Sequence, residues 1–107
     1  MQEINEENLM PRINAVKKKI MSLGDIRPGH LSIQYRRSGK MERGYNQLSY
    51  TFKGRSRTEY IRDEDLARVR KEVAAFHRFK ELVDELIELS VALSKAKTRT
   101  RLETEGE

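Results

Sequence analysis

The chain has 107 residues, of which 36% are hydrophobic and 36% charged, with no cysteine and a net charge of +5. That length supports one domain with a modest core and at most one appendage, and the lack of cysteine excludes disulfides and thiolate metal sites. No apolar run nears the ~20 residues that cross a bilayer, so no membrane segment is expected.

Residues 1–26 read as an N-terminal helix. Leu9, Ile13, Val16 and Ile20 recur at helical spacing and Leu23 continues the stripe. Met1 to Asn8 is acidic and lacks the basic-then-apolar layout of a signal peptide, so a cytoplasmic protein is expected. Pro11 fits a first helical turn, which predicts a start near Met10 and a loose segment before it. Gly24 supplies a stop.

The period then falls to two. Leu31, Ile33 and Tyr35 alternate with Ser32, Gln34 and Arg36, a strand pattern. Ser38 to Gly44 reads as a loop. Tyr45 to Lys53 alternates again, Gly54 marks a tight turn, and Arg55 to Ile61 is the returning strand. Residues 27–62 are thus predicted to form a three-stranded antiparallel meander.

Asp63-Glu64-Asp65 opens a long helix over 63–95, with Asp63 as its cap. One apolar row holds Val69, Val73, Phe76, Val83 and Ile87. A second holds Phe79, Leu82, Leu86, Leu89 and Leu93 at heptad spacing. Two readings of the second row stay open, and both can hold: it packs on the N-terminal helix, or it docks outward, as the seam of a homodimer or as the face of a protein-interaction module or inhibitor that meets a partner helix. The tail 96–107 is polar and expected to fray. The fold class is α+β, with a core of Leu31, Ile33, Leu48, Tyr50, Phe52, Tyr60, Val69, Val73 and Phe76.

Charge is unevenly placed. Residues 27–62 hold nine basic residues against Glu42 and Glu59, a net +7, while 63–95 carry six against eight. A basic strip of this kind suits a phosphate-facing surface. If Leu48, Tyr50 and Phe52 point at the helices, the opposite face offers Gln34, Arg36, Gln47, Thr51, Lys53, Arg55 and Arg57. Arg36, Lys53, Arg55 and Arg57 are the candidate phosphate or groove contacts, with Gln34, Gln47 and Thr51 in lesser roles. A solvated face normally mixes both signs, whereas the only acid counted here is Glu59. Tyr35, Tyr45, Tyr50 and Tyr60 stand beside Leu and Ile and are expected in the core, which favours duplex over single-strand binding.

Catalysis has little support. His30 and His77 are the only histidines, and no phosphate loop, nucleophile elbow or zinc motif is present. No metal, cofactor or catalytic residue is expected.

Three strings carry a resemblance: Arg27-Pro28-Gly29-His30-Leu31-Ser32-Ile33-Gln34-Tyr35, Gly44-Tyr45-Asn46-Gln47-Leu48-Ser49-Tyr50, and Lys53-Gly54-Arg55-Ser56-Arg57-Thr58-Glu59-Tyr60-Ile61. With Phe76-His77-Arg78-Phe79-Lys80-Glu81-Leu82 they resemble a family of small bacterial and archaeal proteins that often accompany mobile elements. The likeness spans about residues 27–95. That family has no established activity, and its association with mobile elements implies DNA as the partner. Many members place a cysteine cluster between the first two strands. Arg36 to Arg43 occupies that place here without cysteine, so no metal role is inherited.

Overall fold

The computed structural model describes residues 5–38 and 41–106, and for 36–38 and 41–43 it describes the backbone alone. The elements follow in the order α1 (Glu6–Met21), β1 (His30–Ser38), β2 (Met41–Phe52), β3 (Arg55–Ile61) and α2 (Asp63–Glu105). This is the expected α+β arrangement, with a three-stranded antiparallel sheet in the order β1-β2-β3. Among the described residues, no helix is long and apolar enough to cross a membrane.

The chain divides into two compact units, one holding Met1–Leu23 with Phe79–Glu107 and the other Gly24–Arg78. In the first, Leu9, Ile13 and Val16 of α1 are buried together with Leu82, Leu89 and Ala96 of α2, and Ile20, Leu23, Leu86 and Leu93 pack around them. The leucine row is therefore the partner of α1. Leu82 and Leu89 are buried against α1, and Leu86 and Leu93 are half-buried beside them, so an internal helix occupies much of this row. Phe79, the remaining residue of that row, is half-buried.

α1 starts earlier than Pro11 suggests. The Asn5 side chain accepts a hydrogen bond from the Asn8 backbone N–H at 2.9 Å and caps the helix. Glu6 and Glu7 lie in the first turn, next to its positive dipole end. Pro11 consequently sits inside the helix, in the second turn. Its missing N–H leaves the carbonyl of Glu7 without an intrahelical donor. α2 also runs further than expected, to Glu105, where the tail was predicted to fray. Nothing breaks it before Gly106. Its last turns are helped by an Arg101–Glu105 pair at 2.8 Å, while the Thr98, Thr100 and Thr104 hydroxyls satisfy themselves by donating to carbonyls four residues back.

In the second unit, Leu48, Ile61, Val69 and Val73 are buried, with Leu31 and Tyr50 packed against them. Each fully buried aliphatic side chain contributes about 1.5–3 kcal/mol. Four members of the expected core lie outside this cluster: Phe76 is half-buried, and three others are exposed. Tyr60 is opposite Gln47 on the face turned away from this cluster and is 64% exposed. Phe52 is 59% exposed at the hairpin end, beyond the last β1–β2 pair, His30 with Ser49. Ile33 is 58% exposed and lines a shallow groove of about 210 Å³ with Leu31, Asn46, Leu66 and Arg70. Ile61, absent from the expected core, takes their place.

The predicted Ser38–Gly44 loop is mostly strand. β1 runs to Ser38, β2 starts at Met41, and Gly44 is paired with Tyr35. A Cβ at Gly44 would stand 3.2 Å from both Ile33 Cγ2 and Tyr35 Cε1, so neighbouring side chains would crowd any larger residue there. Asp63, expected as a cap, is the first residue of α2, and its carboxylate accepts from Asn46 Nδ2 at 2.8 Å. The same amide donates to the Ile61 carbonyl at 3.2 Å, which satisfies a polar side chain buried among apolar ones.

Candidate nucleic-acid interface

The register of the sheet decides which residues share a face, because paired residues project to the same side and neighbours alternate. Leu31 pairs with Leu48, and Leu48 pairs with Glu59. From this buried row, the helix-covered side takes Asn46, Tyr50 and Phe52 of β2. It also takes Arg55, Arg57, Glu59 and Ile61 of β3. The open side takes Ser32 and Gln34 of β1, then Tyr45, Gln47, Ser49 and Thr51 of β2. Ser56, Thr58 and Tyr60 of β3 complete it.

The candidate residues are therefore split. Gln34, Gln47 and Thr51 do lie together on the open face, as expected. Arg55 and Arg57 do not join them, since Arg55 is paired with Phe52 and Arg57 with Tyr50. The reason is the turn. Lys53 and Gly54 form a two-residue connection with φ of 52° and 75°. Positive φ at both positions is what a type I′ hairpin requires. With two loop residues, the flanking Phe52 and Arg55 become partners and share a side. Lys53 lies in the turn itself, with Nζ 5.4 Å from the centroid of the Phe52 ring. Arg36 is paired with Arg43, and its side chain lies outside the described residues.

Glu59, the acid of the sheet whose side chain is described, is already engaged. Arg27 Nη2 lies 2.5 Å from Glu59 Oε2, and the Arg27 guanidinium stands 5.4 Å from the centroid of the Tyr50 ring. The Tyr50 hydroxyl also reaches Glu59, at 3.4 Å. The hydrogen bond to Glu59 raises the Arg27 pKa above its usual value, outweighing the opposing effect of partial burial. Lys53, Arg55 and Arg57 are exposed, and among the described residues no carboxylate pairs with them. The hairpin end thus holds three cations with no carboxylate partner among the described residues, beside an exposed phenyl ring.

The open face differs in chemistry. Among side chains described there, none is a carboxylate, and amides and hydroxyls dominate. Gln34 Nε2 donates to Ser32 Oγ at 3.1 Å and Gln47 Nε2 to Ser49 Oγ at 3.3 Å. Thr51 and Ser56 share a hydroxyl contact at 3.2 Å. Tyr45 and Tyr60 lie diagonally across β2 and β3 with ring centroids 6.3 Å apart and planes tilted by 45°.

No family model, curated protein or solved structure matches this chain. Its reading rests on the site itself. Among the described residues, no group of three or more His, Asp or Glu side chains is arranged to hold a metal ion. Tyr60 and Phe52, expected in the core, are exposed, and Tyr45 is half-buried. The signal lay in the Lys53-Gly54 pair, since a two-residue turn fixes the parity of the whole third strand.

Proposed function

We propose that the protein is a non-catalytic, nucleic-acid-binding accessory or regulatory protein that engages its ligand through the three-stranded sheet. The observation that carries this reading is the charge arrangement of the sheet. Glu59 is tied to Arg27, while Lys53, Arg55 and Arg57 stand exposed with no carboxylate partner among the described residues. Phosphates are the counter-charges such a cluster accommodates, with release of condensed counterions. The net +7 of residues 27–62 supports it by extending the positive potential along the sheet segment. The resemblance to proteins that accompany mobile elements favours DNA.

The test is fluorescence-anisotropy titration of a labelled DNA over a salt series. Affinity should fall steeply with salt, and the double variant Arg55→Ala, Arg57→Ala should reduce the slope by about one unit per lost phosphate contact. Unchanged affinity and slope in a folded double variant would remove the proposal.

A further inference from the structure

We infer that the open face of the sheet binds single-stranded nucleic acid, DNA or RNA, by stacking a base on Tyr60. This rests on the nucleic-acid reading above and names the form of ligand that the face selects.

Four features support it. Tyr60 is 64% exposed, so one surface of its ring is free to take a planar group without rearrangement. Tyr45 backs it at 6.3 Å, so the two rings form a pair built into neighbouring strands rather than a lone mobile side chain. Gln47 is paired directly opposite Tyr60, and Gln34 directly opposite Tyr45. Each ring therefore has an adjacent amide with both donor and acceptor capacity, able to address a base edge once its bond to a neighbouring serine is exchanged. Finally, no described side chain on this face is a carboxylate, so the phosphates of a strand crossing it meet no like-charge repulsion from the described residues.

The chemistry selects single strands. A base stacked inside a duplex has both faces covered, whereas an unpaired base offers a π surface to an aromatic side chain. Hydroxyls and amides tolerate any base and give little sequence preference. The cations at the hairpin end, on the other side of the same strands, contribute attraction that does not depend on the bases.

The experiment uses the full chain and short labelled oligonucleotides of equal length: a dT strand, an rU strand, an abasic strand and a random duplex. The dT or rU strand should bind about tenfold or more tightly than the abasic strand, which keeps the phosphates and lacks the bases. Tyr60→Ala should lower affinity for the base-bearing strand by roughly 5- to 150-fold and leave the abasic strand unchanged. Tyr60→Phe, which keeps a stacking surface, should retain binding. Intrinsic tyrosine fluorescence should be quenched by the base-bearing strand in the parent protein and less so in Tyr60→Ala. Any preference between dT and rU assigns the sugar and supports the inference either way. Equal binding of abasic and base-bearing strands, or a silent Tyr60→Ala, overturns stacking; if Arg55→Ala, Arg57→Ala still weakens binding, the phosphate reading survives alone. Absence of binding to every strand overturns both.

Discussion

Arg57 is paired with Tyr50 across β2 and β3, which places it on the side of the sheet where Arg27 covers the Tyr50 ring. Arg27, Arg55 and Arg57 thus share one side of the strands, and of these three Arg27 alone has a carboxylate partner among the described residues, Glu59. Removing Arg57 deletes no ion pair among the described residues, so Arg57→Ala should shift stability by less than about 0.5 kcal/mol. Urea unfolding followed by circular dichroism checks this. The same measurement certifies the variant for binding experiments.

Arg27→Ala should behave differently. It removes the ion pair with Glu59 and the cation over Tyr50 together. Both charged groups are partly exposed, so screening limits the loss to about 1 kcal/mol. The difference from the parent should narrow as salt is raised, which a stability series in sodium chloride would show.

Asn46 holds the end of β3 to the start of α2 through the Ile61 carbonyl and the Asp63 carboxylate. Asn46→Leu should cost about 1–3 kcal/mol, because Ile61 and Asp63 lose a buried donor. Asn46→Asp should cost more at neutral pH, as it sets two carboxylates within hydrogen-bonding distance. Repulsion would raise the folded-state pKa of one of them above the unfolded value near 3.9. A group raised in this way favours the fold only at low pH and loses that contribution as pH rises through its folded pKa. The deficit of Asn46→Asp should accordingly shrink on acidification, relative to Asn46→Leu. A pH series of urea midpoints decides it.

Gly29 has φ of +142°, and a Cβ there would lie 2.6 Å from Leu48 Cδ1. Strain and overpacking of about 1–3 kcal/mol each combine in Gly29→Ala. Gly24→Ala is the matched control, since nothing lies within 4 Å of its would-be Cβ. Thermal unfolding should separate the two by several degrees or more.

Leu82→Ala should cost about 2–5 kcal/mol, because the side chain is buried against α1 residues. Ile87→Ala, on the exposed side of the same helix, should cost far less. If the leucine row served a second chain instead, both variants would leave monomer unfolding unchanged.

The sequence made most of the architecture legible. Element order followed from the switch between periods of 3.6 and two, and Leu48, Val69 and Val73 were recognisable as core from alternation and helical spacing. β3 was not legible by the same means. Arg55-Ser56-Arg57-Thr58-Glu59-Tyr60-Ile61 has apolar residues only at its end, so hydrophobic alternation cannot assign its faces, and its arginines were placed with the wrong neighbours. The leucine row left two partners open because heptad spacing is the same for an internal and an external helix. The helix ends were misjudged for local reasons: Asn5 capping outweighed Pro11, and the polar tail had i,i+4 support without an apolar stripe.

The two-residue Lys53-Gly54 turn has a consequence for how this surface could change. One inserted residue would reverse the orientation of β3 relative to β2, bringing Arg55 and Arg57 onto the side that carries Tyr45 and adding two cations to its described amides and hydroxyls. The same shift would swing Ile61, now buried, out into water and carry Tyr60 inward. The burial of one isoleucine at the far end of the strand thus acts as a lock on hairpin length. Loop-length variation, tolerated on most surfaces, is here constrained by the hydrophobic core.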